Sequence, residues 1–174
     1  MAEEIYQDIV KQIGVDMADA IPMDNIMTFT EVEDFAYQLS LQLAALEAHA
    51  WTLLFWQPSD LSVITLKEPE RKQYVLSNFS QLVPLCKKDP TQLVLVYPAV
   101  YPLPPERCAP ELLKMTALPW MTHRSASYYS LALLCLELLA PLGLGLAELR
   151  GTKLFYFLER CLLADPRERR CFYL

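Results

Sequence analysis

Glycine and histidine are scarce in this chain, with four glycines and two histidines in 174 residues. Gly14, Gly143, Gly145 and Gly151 are too few and too scattered to assemble a Gly-rich phosphate loop, so no nucleotide site of that kind is expected. His49 and His123 have no Cys or His neighbour at ligand spacing, which argues against a zinc site. The cysteines, Cys86, Cys108, Cys135, Cys161 and Cys171, form no Cys-x-x-Cys pair and are odd in number. That pattern suits a reducing, cytoplasmic setting in which they act as small apolar core residues. Basic residues are in the minority, 15 against 21 acidic, for a formal charge of −6. A nucleic-acid partner would need clustered Lys and Arg instead. Long apolar runs are missing too: Tyr128 to Ala147 is interrupted by Glu137, Pro141, Gly143 and Gly145, short of the roughly 20 residues a membrane span requires. Met1-Ala2-Glu3-Glu4 is acidic where a signal peptide would be basic.

What the chain does have is 53% hydrophobic and 21% charged residues, a balance that predicts one folded domain over residues 1–174. Ile5, Ile9 and Ile13 recur every four residues and predict an amphipathic helix ending near Gly14. Met17 to Met27 reads as a connection. Thr30, with Glu33 three residues on, has the spacing of a capping box. It opens a second helix whose buried face is Phe35, Leu39, Leu43 and Leu46. Trp51 to Phe55 and Leu61 to Leu66 read as small strands around the Gln57–Asp60 turn, Glu68 to Lys72 as a charged turn, and Gln73 to Leu76 as a strand. From Cys86 to Arg107 five prolines stiffen an irregular crossing. Ala126 to Leu139 is apolar nearly all round, which predicts a helix buried on every side. Lys153 to Leu163 and Pro166 to Leu174 read as the final helices, the second with proline at its first turn.

Three motifs in the second half carry a family resemblance: Arg107-Cys108-Ala109-Pro110-Glu111, Tyr129-Ser130-Leu131, and Arg160-Cys161-Leu162-Leu163-Ala164-Asp165-Pro166-Arg167-Glu168-Arg169. In this order they resemble landmarks of the protein-kinase C-terminal lobe, and most of all the kinase non-catalytic C-lobe domain. The resemblance implies a mainly α fold with a few short β-strands, a kinase-like C-lobe without the N-lobe. It also implies a structural ion pair between Glu111 and Arg169. Aligned on Pro58, the catalytic Asp position holds Phe55, the Lys position Gln57 and the metal-binding Asn position Asp60, while Asn78 stands at the metal-binding Asp and Ser127 at a helix-leading Asp. Phosphoryl transfer needs carboxylates at two of these places. The resemblance therefore implies no enzyme, no nucleotide and no cofactor.

The expectation is a non-catalytic module that docks another protein, or else a structural subunit of a larger assembly such as a multiprotein complex or virus particle. Phe55 and Trp56, with Trp51, Phe79 and Tyr97, are the expected partner-binding residues, being aromatics of the kind enriched in interface anchors.

Overall fold

The structure, a computed structural model, describes residues 1–96 and 102–169. Its first helix, α1 (Ala2–Gln12), buries Tyr6, Ile9 and Val10. Ile13 falls beyond the helix and is largely exposed, so the four-residue isoleucine repeat overstates the buried face. A 3₁₀ turn (Met17–Asp19) and the two-residue strand β1 (Ile21–Pro22) lead into α2 (Phe29–Ala48). The cap of α2 is Thr28, not Thr30. Thr28 Oγ1 accepts from Glu31 N at 3.3 Å and Glu31 Oε2 accepts from Thr28 N at 2.8 Å. The same Thr-x-x-Glu spacing begins at both positions, and Lys72, 2.5 Å from the other oxygen of Glu31, favours the earlier one. Phe35, Leu39, Leu43 and Leu46 are all fully buried.

Strand β2 (Trp51–Leu53) and the longer β3 (Leu61–Lys67) flank a 3₁₀ turn at Pro58–Asp60, yet they join different sheets. β3 pairs with β4 (Glu70–Leu76) in register Leu61↔Leu76 through Lys67↔Glu70, with β1 on its other side. Arg71 and Lys72, read as part of a turn, are thus the outer end of a strand. Only Glu68 and Pro69 make the turn. β2 pairs with β5 (Leu82–Pro84), and β6 (Gln92–Leu95) pairs with β7 (Trp120–His123). A Leu85↔Leu93 bridge and a Cys86 N to Gln92 O bond of 2.8 Å link these two pairs. Between β6 and β7 lies the short helix α3 (Pro110–Leu113). Then come α4 (Ala126–Leu139) and α5 (Lys153–Cys161).

Among the described residues 41% are helical and 19% in strands, the strands forming small antiparallel sheets. This α/β mixture replaces the expected mainly α, kinase-like C-lobe. The difference lies partly in long-range pairing: the charged start of β4 has little local strand signal and is held by its ladder, while the apolar run Leu93-Val94-Leu95 of β6 sits among prolines that suggest an irregular crossing. The last expected helix is not formed where it can be seen, since Pro166 to Glu168 make a turn; its remainder lies outside the described residues. The first core is built by α1, α2, β3, β4, α4 and α5, and a second by Leu54, Phe55, Leu93, Leu95, Cys108 and Leu112 among others. α4 has ten of its fourteen residues buried and contributes to both, which accounts for its carrying a single charged residue, Glu137.

The outward edge of β4 is closed by side chains rather than by a strand. Gln38 donates to Lys72 O at 3.0 Å and accepts from Tyr74 N at 2.8 Å. Gln42 donates to Tyr74 O at 2.7 Å, and Tyr6 Oη accepts from Leu76 N at 2.6 Å while donating to Gln42 Oε1. Unpaired strand edges invite association, and here α1 and α2 satisfy the edge internally. Tyr6→Phe removes one hydroxyl but strands two buried partners, so it should cost about 1–3 kcal/mol in chemical denaturation. A loss under about 0.5 kcal/mol would mean that water takes the hydroxyl's place.

Candidate functional site

The expected partner-binding aromatics do not form an exposed face. Phe55 and Trp56 are 0% and 1% exposed. Consecutive side chains of an extended segment point to opposite sides, so Phe55 enters the second core and Trp56 the first. The segment is pinned from both directions. Leu54 N donates to Gln81 O at 2.9 Å, Trp56 N donates to Ser130 Oγ at 2.8 Å, and Trp56 Nε1 donates to Ser127 O at 3.1 Å. Large aromatics here fill the interior instead of presenting a surface. Trp51 is half-buried against the first core, and Phe79, also half-buried, lies with its ring 5.5 Å from that of Tyr6. Tyr97 lies outside the described residues.

Glu111 and Arg169 are in contact. Arg169 Nη1 and Nη2 donate to the two carboxylate oxygens at 2.6 and 2.9 Å, a bidentate fork, and Arg169 Nε donates to Leu163 O at 2.8 Å. The guanidinium is fully buried and lies 4.8 Å from the centre of the Tyr129 ring. Asp60 and Asn78 are also brought together, Asn78 Nδ2 donating to Asp60 Oδ1 at 2.9 Å. Burial pushes the Asp60 carboxyl above its ordinary range, with hydrogen bonds from Gln57 and Asn78 opposing the shift. Among the described residues no group of three or more His, Cys, Asp or Glu side chains is placed to hold a metal ion.

Two buried cysteines and one serine beside a histidine are held in unreactive states. Burial pushes the Cys108 thiol up to about 12 and raises Cys135 further, so both remain thiols at neutral pH. His123 Nδ1 lies 2.8 Å from Ser125 Oγ, but Ser125 is buried and its hydroxyl donates to Pro166 O at 2.8 Å. That hydroxyl has no proton to give the imidazole. Among the described residues no helix is long and apolar enough to cross a membrane.

Two features escaped the sequence reading. One is a groove of about 550 Å³ between α1, α2 and the outer half of β4, lined by Ile9, Ile13, Tyr37, Leu41 and Arg71 among others. Tyr37 and Leu41 are 46% and 53% exposed. They stand four residues apart on α2, off the Phe35–Leu39–Leu43 face, and this second apolar stripe was the available signal. The other is Glu47, whose Oε2 lies 3.6 Å from Arg124 Nη1 while Oε1 is buried without a hydrogen-bond partner among the described residues.

Burial raises the Glu47 carboxyl to about 7, with the Arg124 charge pulling the other way. A folded-state value above the unfolded one means that the folded chain holds the proton more tightly. The associated stability is full below the unfolded value of 4.5 and is lost as pH rises through about 7. Burial holds His123 low, so its contribution runs in the opposite sense, being lost as pH falls below 6.5. Comparison with Glu47→Gln separates the two. Relative to that variant, the wild type should gain roughly 2 kcal/mol in urea unfolding between pH 7.5 and 5.5. A flat difference would place Glu47 in water.

No family model matches the chain, and no characterised protein matches it significantly.

Proposed function

We propose that this protein is a non-catalytic interaction module that docks another protein, and that the groove between α1, α2 and β4 is its docking surface. The observation carrying this reading is the exposed strip formed by Ile13, Tyr37 and Leu41 along the groove. Apolar side chains clustered in a concavity and rimmed by polar ones are typical of recognition grooves. Asp34 on α2 and Arg71 and Lys72 on β4 line the groove; Lys72 is paired with Glu31, whereas Arg71 makes no ion pair among the described residues. The occupant that fits is an amphipathic helical segment of a partner protein. Its apolar residues at i and i+4 would lie on Tyr37 and Leu41, and an acidic residue would meet Arg71.

The test is site-specific photo-crosslinking in the native host. A photoreactive residue at Leu41 should give one discrete heavier adduct, which Tyr37→Asp abolishes. The same residue at exposed Glu159 on α5 should give none. Equal adducts from both positions, or none from Leu41, would sink the reading.

A further inference from the structure

We propose that β7 is a self-association edge, pairing antiparallel with the β7 of a second copy of this chain in the register that sets Thr122 beside the second copy's Thr122. The geometry starts from the β6–β7 ladder, in which Arg124 N donates to Thr91 O at 2.9 Å. In an antiparallel ladder the hydrogen-bonded pairs alternate, so the 93/122 and 95/120 pairs turn their main-chain groups toward each other. The N–H and C=O groups of Met121 and His123 therefore point away from β6. No described residue hydrogen-bonds to them. The contrast with β4 is direct: there Tyr6, Gln38 and Gln42 close the edge, whereas no described residue closes the two donors and two acceptors of the β7 edge. An open edge of this kind specifies an extended backbone as its occupant.

A second copy fits because the edge is self-complementary. With Thr122 on the two-fold axis, Met121 faces the second copy's His123 and His123 faces the second copy's Met121. Both become hydrogen-bonded pairs, and all four open groups on each strand are used. The register shifted to set Met121 on Met121 would bring His123 against Pro119, which has no N–H to give. Trp120 to His123 carries no formal charge at neutral pH, so no like-charge repulsion opposes the pairing. On the outer face Met121, 62% exposed, pairs across the ladder with Val94, 37% exposed, and the second strand would extend this apolar surface.

In this register the two Thr122 residues form a non-hydrogen-bonded pair through their backbones, while each side chain, 4% exposed, stays buried within its own chain.

The test is sedimentation equilibrium from micromolar to roughly 1 mM, a range that reaches the weak affinities expected of an interface below standard size. The mass should rise reversibly from 20.0 kDa toward twice that value. Met121→Lys adds a charge at an exposed edge position and should weaken the dimer by about tenfold or more while leaving the melting curve unchanged. In the wild type, hydrogen exchange at the Met121 and His123 amides should slow as concentration rises, a readout that needs no variant to fold. A monomer throughout the range, a dimer indifferent to Met121→Lys, or exchange at these amides that ignores concentration overturns the proposal.

Discussion

Glu111→Ala should destabilise the fold by about 3–5 kcal/mol, because it leaves a buried guanidinium without its counter-charge. The Arg169 side chain is fully buried whereas that of Glu111 is 18% exposed, so the two partners are not equivalent. Removing the carboxylate strands a charge that cannot reach water. Removing Arg169 frees a carboxylate that can, but also takes away the Leu163 carbonyl bond and the packing against Tyr129. Both single changes are expected to be costly, and the double change should cost less than their sum, with a coupling of about 0.5–3 kcal/mol. Arg169→Lys should not restore stability, since an ammonium cannot make the bidentate fork. Urea unfolding of the four proteins measures the cycle. Strictly additive losses would mean that the two side chains act independently.

That contact joins residues 58 positions apart, and no local pattern announces it. It was visible only through the order of two short motifs. Local patterns do account for the helices: α4 spans Ala126–Leu139 because fourteen residues with a single charge leave the chain no other way to satisfy its backbone while buried. α2 likewise follows from its apolar period, although its start was displaced by two residues. Two equivalent Thr-x-x-Glu pairs competed there, and a lysine 41 positions away from Glu31 favours one of them. The sheets were less legible. β4 begins with Glu70, Arg71 and Lys72, side chains that signal a solvated turn, and becomes a strand because β3 supplies its hydrogen bonds. The groove was missed for a related reason: its walls come from three elements, and only their packing turns Ile13, Tyr37 and Leu41 into one surface. Aromatic residues at Phe55 and Trp56 suggested an interface because composition cannot tell a buried aromatic from an exposed one.

Trp56→Ala should lower stability by about 3–5 kcal/mol, the range for deleting a large aromatic from a core. Trp56 is the largest of the fully buried side chains, and its loss opens a cavity in the first core beside α4 while leaving Ser127 O without its indole donor. Trp56→Phe removes the indole donor together with part of the ring volume and should cost less than Trp56→Ala, about 1–3 kcal/mol. Phe55→Ala should cost about as much as Trp56→Ala, but in the other core. The two residues are neighbours on one segment, so a coupling of about 0.5–3 kcal/mol is expected between their losses. Their sum then reaches the whole stability of an ordinary domain, about 5–15 kcal/mol, and the double variant should be unfolded by circular dichroism at 25 °C. Should Trp56→Ala instead unfold within about 1 kcal/mol of the wild type, the residue is not in the core and belongs to a surface after all.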